Sequence, residues 1–123
     1  MKYGYWWGRG VGQVNRLILA YTGSTWENIT YKTNESWFDK DKKELGLVFP
    51  NLPYLIDGDF KLTESRAINL YVVKKSGKTE LLGKTLEDQA RVESIIGVNA
   101  DLRNMLRDLA FDPEWKSKFD GVM

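Results

Sequence analysis

Residues 48–58 read VFPNLPYLIDG, which places a proline directly in front of a short apolar run with the composition of a buried strand. Proline has no backbone N–H, so it cannot lie inside a central strand of a sheet. Pro53 therefore marks the first residue of a strand, a bulge, or a turn held open for a ligand. Beyond it, Gly58-Asp59 predicts a tight turn between a strand at Tyr54–Asp57 and a second at Phe60–Thr63, so this pair forms a hairpin.

The residues before this stretch predict a β-α-β unit. An aromatic-rich strand over residues 2–7 ends in a glycine turn over residues 8–10. A helix follows and stops at Thr22-Gly23, and residues 26–31 have the near-alternating apolar pattern of a half-buried strand. Apolar residues at one-face helical spacing predict the buried side of the helix: Val11, Val14, Leu17, Ile18 and Tyr21.

The remaining elements of this half are a loop and a helix. Residues 33–44 are polar around Trp37 and Phe38, which indicates a surface loop with room for one helical turn. After the hairpin, Thr63-Glu64-Ser65 offers capping chemistry to a helix that runs to Ser76-Gly77. The predicted order is β-α-β-β-β-α, an α/β fold.

A long helix follows the charged linker over residues 77–84. Thr85-Leu86-Glu87-Asp88 resembles a capping box, and Asp112-Pro113 ends the helix and starts a short final one. The long helix has one apolar stripe, and leaving it in water forfeits about 25 cal/mol per Å² of apolar surface. The tail to Met123 is too short to cover it, so we expect a missing helical segment or another polypeptide to do so. The stripe comprises Val92, Ile95, Ile96, Leu102, Met105, Leu106 and Leu109.

Composition excludes several classes of function. The 123 residues are enough for one core of ordinary size, and 18 basic against 17 acidic residues give a charge of +1, so no net field attracts nucleic acid or an anionic membrane. The chain has no His and no Cys, which excludes the usual zinc sites, Ser-His-Asp catalysis and Cys-x-x-Cys redox centres. We expect a cytoplasmic protein with no metal, no nucleic-acid partner and no membrane insertion.

Several motifs together resemble the glutathione transferases of the mu class. They are GYW from Gly4, RG at Arg9, RLILAYT from Arg16, the LGLVFPNLPYLIDG run from Leu45, LTESRAI from Leu62, RVE from Arg91 and DPEW from Asp112. The resemblance implies a thioredoxin-like glutathione-binding domain over residues 1–80. It also implies that residues 85–123 are the start of a truncated all-α domain.

The resemblance further implies that the thiolate of glutathione, the co-substrate, attacks a small hydrophobic electrophile. The hydroxyl of Tyr5 would donate to the glutathione sulfur and favour the thiolate. The Leu52–Pro53 bond would be cis, with Leu52 turned toward the cysteinyl part of glutathione. Without the resemblance, the preferred interpretations are a core aromatic for Tyr5 and a trans proline at a strand edge for Pro53.

Other positions are carried over from the family in the same way. The implied glutathione-binding residues are Trp6, Trp37, Lys42, Asn51, Leu52, Pro53, Glu64, Ser65 and Asp101. Gly10, Val11 and Phe111 would line the electrophile pocket. Phe49 would be a dimer contact, inserting between helices of the partner, and Asp101 would reach the neighbouring subunit's glutathione site.

Three departures from the family pattern keep alternatives open. Trp7-Gly8 replaces an acidic-aliphatic pair and the segment between Tyr21 and Trp37 is shorter than usual. The resemblance also leads us to expect that most of the helical domain is missing. A transferase is the first hypothesis. The alternatives are a non-catalytic, truncated structural subunit of a larger assembly that covers the long helix, and a module that binds glutathione without catalysis.

Overall fold

The computed structural model describes residues 1–114, and they divide into two compact units, one from Met1 to Leu81 and one that begins at Leu82. The first unit is an α/β structure. Its strands are β1 (Lys2–Trp6), β2 (Glu27–Tyr31), β3 (Tyr54–Asp57) and β4 (Phe60–Thr63). Its helices are α1 (Gly12–Tyr21), a π-helical segment (Ser36–Asp41), α2 (Lys42–Glu44) and α3 (Ser65–Ser76). A 3-10 helix (Thr79–Leu82) spans the boundary between the two units in the chain, and the second unit contains α4 (Leu86–Phe111).

The four strands form one mixed sheet in the order β2-β1-β3-β4. β1 pairs with β2 in parallel, whereas β3 is antiparallel to both β1 and β4. This is the thioredoxin-like arrangement, and the predicted hairpin has the predicted strand limits. Because of these directions, the carboxyl ends of β1 and β4 and the amino end of β3 meet at one edge of the sheet.

The core occupies both faces of this sheet. On one face Tyr3 and Tyr5 of β1 lie against α1, since a Cβ added to Gly12 would meet both side chains. On the other face Tyr31, Trp37 and Tyr54 pack as an aromatic cluster, with ring centroids 5.3 to 6.3 Å apart. Aromatic pairs at such distances stabilise a core beyond the area they bury.

The buried face of α1 differs from the predicted one. Its buried residues are Gly12, Asn15 and Leu19, whereas Val14 and Leu17 are largely exposed. Tyr21, also predicted on the buried face, is exposed. Gly12 is buried because its backbone lies against the rings of β1, and Asn15 because its amide has internal hydrogen-bond partners. The spacing of apolar residues reveals neither the close backbone contact of Gly12 nor the hydrogen bonds of Asn15.

The segment predicted as a surface loop, residues 33–44, is helical over most of its length. The reason is Trp37, which is 2% exposed and stacks on Tyr54 with centroids 6.0 Å apart. Burying one large ring in the core anchors an otherwise polar segment to the sheet. The prediction allowed one helical turn here, and the observed helical stretch, Ser36–Asp41 with Lys42–Glu44, is longer.

In the second unit, the long helix and its cap are as predicted. The hydroxyl of Thr85 accepts a hydrogen bond from the backbone N–H of Asp88, and Asp112 is the C-cap. Much of the predicted stripe, including Ile95, Leu102 and Met105, is exposed. The short final helix predicted after Pro113 lies outside the described residues. Within residues 1–114, no helix combines the length and apolar character needed to cross a membrane.

Candidate active site

Tyr5 lies near the carboxyl end of β1 and is 8% exposed, so its ring belongs to the core. No group of residues 1–114 forms a hydrogen bond with its hydroxyl. Neighbouring Tyr3 contrasts with it, because its hydroxyl bonds the carbonyl oxygen of Gly12 and Oδ1 of Asn15, each at 3.1 Å. A phenol without an internal partner at a sheet edge is available to a ligand.

The other buried tyrosines of the core are committed to internal bonds. The hydroxyls of Tyr31 and Tyr54 lie 3.0 Å apart, and Tyr31 also donates to Oδ2 of Asp41. Burial raises the pKa of Tyr3, Tyr31 and Tyr54, and the hydrogen bond to Asp41 raises that of Tyr31 further. These three phenols therefore stay neutral, and their hydroxyls are already hydrogen-bonded inside the protein. The Tyr5 hydroxyl is the remaining candidate to donate a hydrogen bond to a ligand.

The loop between β1 and α1 closes on the Tyr5 side chain. A Cβ added to Gly10, where φ is +39°, would lie 2.6 Å from the Tyr5 hydroxyl, and one added to Gly12 would lie 2.2 Å from its Cδ1. Only a residue without a side chain permits such an approach. Gly10 thus borders the phenol, and Val11, also predicted in the electrophile pocket, is half-buried against the core beside it.

The Leu52–Pro53 peptide bond is cis, as predicted. It lies directly before β3, whose Tyr54 pairs with Gly4, so one further step of the register brings Pro53 level with Tyr5. The backbone N–H of Leu52, predicted to face glutathione, donates to Oδ1 of exposed Asn51 at 2.9 Å. Asn51, Leu52 and Pro53 therefore form a contiguous turn at the same edge as Tyr5.

The start of α3 reaches this edge from β4. Glu64 has φ +73° and ψ +115°, the one non-glycine residue within residues 1–114 with positive φ. Such backbone costs about 1–3 kcal/mol and is found mainly where a site requires it. Its side chain makes no capping hydrogen bond, so the predicted capping role is not seen. Ser65 opens a helix of 12 residues, whose first N–H groups favour a carboxylate.

Aromatic and basic residues extend the site along the other sheet face. The rings of Trp6 and Phe38 lie 6.0 Å apart, and Nζ of Lys42 lies 5.0 Å from the Phe38 centroid. Trp37, in contrast, has its ring in the core cluster described above. Sequence reasoning thus named Trp6 and Lys42 but missed Phe38, which connects them.

Three further predicted residues are exposed. Phe49 is 73% exposed in the segment before Asn51, in the first unit. Asp101 and Phe111 belong to α4, in the second unit.

Asn15 is a site residue that sequence reasoning missed. It is 1% exposed, and its Nδ2 donates to the carbonyl oxygen of Ser65 at 2.8 Å and to Oδ1 of Asn69 at 2.6 Å. Its Oδ1 accepts from Tyr3. The amide therefore ties β1 and α1 to the first residue of α3. The only sign in the sequence that Asn15 is buried is its spacing, three residues after Gly12 and four before Leu19, which puts it on their face of α1.

A cavity of about 350 Å³ lies apart from this edge, lined by hydroxyl groups and by Asp57 and Lys75, an ion pair. None of the predicted site residues lines this cavity, and Tyr5 is not among its lining residues. Among the described residues, no cluster of three or more His, Cys, Asp or Glu side chains could hold a metal ion. The Tyr5 edge is therefore the candidate site.

Comparison with known proteins identifies the family. Residues 1–74 match the model of the glutathione S-transferase N-terminal domain. The chain is 44% identical over 124 residues to the class-mu 26 kDa isozyme 1 glutathione S-transferase of Fasciola hepatica, covering 99% of this chain and 54% of the relative. It is 40% identical over 118 residues to the class-mu 26 kDa isozyme of Schistosoma mansoni, covering 94% and 52%.

The crystal structure of the glutathione S-transferase Blo t 8 superposes with a TM-score of 0.84 at 33% identity, covering 98% of this chain and 56% of that one. The chain thus spans about half the length of the curated relatives it matches. More than half of it matches the family model, and the sheet, the cis proline and the tyrosine edge agree with that match. The chain belongs to the glutathione S-transferase family, which it matches through that family's N-terminal domain.

Proposed function

We propose that the chain binds glutathione at the Tyr5 edge and activates its thiol for attack on a small hydrophobic electrophile. The observation that carries this proposal is the Tyr5 hydroxyl, which has no hydrogen-bond partner among residues 1–114. Tyr5 follows Gly4, whose partner Tyr54 comes directly after the cis Leu52–Pro53 turn. A thiolate is a far better nucleophile than a thiol, and a donor aimed at sulfur favours the thiolate.

In the proposed reaction, the thiol of glutathione loses its proton to solvent while the Tyr5 hydroxyl donates a hydrogen bond to the sulfur. The thiolate then uses its electron pair to form a carbon–sulfur bond with the electrophile, whose leaving group departs with the electrons of the broken bond. Gly10 borders the phenol, and Val11, the next residue, packs against the core, which supports their proposed place beside the electrophile. Glutathione is the co-substrate, and no step requires a metal.

The two ends of glutathione have separate candidate partners. The N-terminus of α3 at Ser65 suits the γ-glutamyl carboxylate, and Glu64 suits its ammonium group. Lys42, beside Phe38 and Trp6, suits the glycyl carboxylate. Asn51 and Leu52 are the proposed partners of the middle of the tripeptide, and the Leu52 N–H would exchange its bond to Asn51 Oδ1 for one to the ligand. Asp101, Trp37 and Phe111 remain proposals from the family resemblance alone.

We also propose that the protein acts as a homodimer. Val48 and Phe49 are adjacent and among the most exposed large apolar side chains of the first unit, which suits an anchor buried by a second copy. The transferase relatives reported above favour this proposal over the structural subunit of a larger assembly. Sedimentation of the wild type against Phe49→Ser tests it, because loss of the anchor should shift the population toward monomer.

The test of the catalytic proposal separates binding from turnover. Calorimetry measures glutathione affinity, and conjugation to a chloronitroaromatic electrophile measures turnover, for the wild type, Tyr5→Phe and the matched control Tyr21→Phe, whose ring is exposed. We expect Tyr5→Phe to bind glutathione within about threefold of wild type but to lose turnover by at least about tenfold, since the removed donor acts on the reacting sulfur. Equal turnover would refute the role of Tyr5, and binding without turnover in the wild type would indicate a binding module.

A further inference from the structure

One guanidinium group contacts both the Tyr5 ring and the loop that borders its hydroxyl. Arg16, on α1, donates from Nη2 to the carbonyl oxygen of Trp6 at 2.9 Å and from Nη1 to that of Gly8 at 3.0 Å. Its Cζ lies 5.6 Å from the centroid of the Tyr5 ring. A weaker bond of 3.5 Å joins its Nε to Oδ1 of Asn28. Sequence reasoning assigned this residue no role.

The loop that Arg16 holds has little else to fix it. Glycines at positions 8 and 10 give it wide conformational freedom, yet the backbone at Gly10 must approach the Tyr5 hydroxyl closely. Two backbone bonds anchor its ends, from Trp7 N to Tyr31 O at 2.9 Å and from Gln13 N to Arg9 O at 2.8 Å. The carbonyls on either side of Trp7 are held by the planar fork of the guanidinium, which a lysine cannot reproduce.

The charge of Arg16 supports the same role as its hydrogen bonds do. A cation near the face of an aromatic ring is attracted to it, which restrains the ring of Tyr5. The same positive charge favours an anion over a neutral group beside the phenol, because opposite charges attract more strongly where water is partly excluded. A thiolate next to the Tyr5 hydroxyl is therefore favoured over a thiol.

We propose that Arg16 is a positioning residue, which fixes the Tyr5 ring and the loop over residues 8–10 so that the phenol faces the place of the glutathione sulfur. The inference rests on the proposed function for the identity of the ligand. Its geometric part concerns the ligand-free protein and is testable without glutathione.

The first measurement uses the full chain with ¹³C-labelled tyrosine. The NMR signals of the Tyr5 ring are assigned with Tyr5→Phe and compared among the wild type, Arg16→Gln, Arg16→Lys and the control Arg91→Gln, whose side chain is 72% exposed. We expect both Arg16 variants to move the Tyr5 signals and to leave those of Tyr54 in place. Arg16→Lys retains the charge and serves where Arg16→Gln does not fold. Tyr5 signals that stay in place in a folded Arg16 variant would overturn the proposal, whether or not that variant binds glutathione.

The second measurement follows the thiolate absorbance of bound glutathione against pH. In Arg16→Gln, the midpoint of thiol ionisation should rise by about half a pH unit or more, while glutathione affinity stays within about threefold. Arg16→Lys should recover part of this shift because it restores the charge. A midpoint that rises equally in Arg91→Gln would overturn the assignment. If the wild type itself shows no lowered midpoint, the proposed function fails, whereas Tyr5 signals that move in the Arg16 variants still support the positioning role.

Discussion

Replacing Asn15 with alanine removes the hydrogen-bond network that joins β1, α1 and α3. The side chain makes three bonds, to the Tyr3 hydroxyl, the Ser65 carbonyl and Oδ1 of Asn69, at 2.6 to 3.1 Å. Each contributes about 1 kcal/mol net, and two part-buried acceptors lose their donor. Alanine recovers about 0.5 kcal/mol of helix propensity. The expected loss is about 3 kcal/mol of unfolding free energy.

Urea unfolding followed by tryptophan fluorescence measures this loss. A change of about 3 kcal/mol in a unit of this size corresponds to a fall of more than about 10 °C in Tm, which calorimetry checks independently. Asn34→Ala is the matched control, because Asn34 is exposed, and it should stay within about 0.5 kcal/mol of wild type. A loss below about 1 kcal/mol in Asn15→Ala would refute the argument that this network fastens α3 to the sheet.

Two further predictions concern the close packing around Tyr5 and an ion pair. Gly12→Ala should lower turnover and reduce the unfolding free energy by about 1–3 kcal/mol, because the new Cβ would lie 2.2 Å from the Tyr5 ring. Gly97→Ala, in open space on α4, should instead raise stability by up to about 1 kcal/mol. Thermal melts and turnover assays on both variants check this prediction. Equal changes in Tm and in turnover for Gly12→Ala and Gly97→Ala would contradict it. Lys75 lowers the pKa of Asp57, so the carboxylate stabilises the fold above its unfolded pKa and loses this effect as pH falls through the folded value. Asp57→Asn should therefore lower Tm at neutral pH and match wild type well below pH 3.8, the ordinary pKa of the side chain; a difference independent of pH would contradict this.

The hairpin and the helix limits were predictable because local chemistry determines them. The Gly58-Asp59 turn, the Thr85 cap and the Asp112 C-cap act within a few residues of chain, and each appears where the sequence placed it. The cis bond at Pro53 was predictable only through the family resemblance, because most X-Pro bonds in folded proteins are trans and nothing else in the sequence favours cis.

The errors in the prediction have tertiary causes. The buried face of α1 was misassigned because Gly12 and Asn15 are buried for contact and hydrogen-bonding reasons that an apolar pattern does not register. The segment around Trp37 was predicted as a loop because one buried ring outweighs its polar neighbours. The sequence assigned no role to Arg16, because only the structure shows that its guanidinium reaches back to the end of β1.

The central claim is that the Tyr5 hydroxyl stabilises the thiolate of bound glutathione. The most direct test is a pH titration of thiolate absorbance for glutathione alone, with wild-type protein and with Tyr5→Phe. The account predicts that wild-type protein lowers the midpoint of thiol ionisation by about one pH unit or more, and that Tyr5→Phe abolishes most of this shift while still binding glutathione. An unchanged midpoint in folded wild-type protein saturated with glutathione, or an equal shift in Tyr5→Phe, would contradict the account.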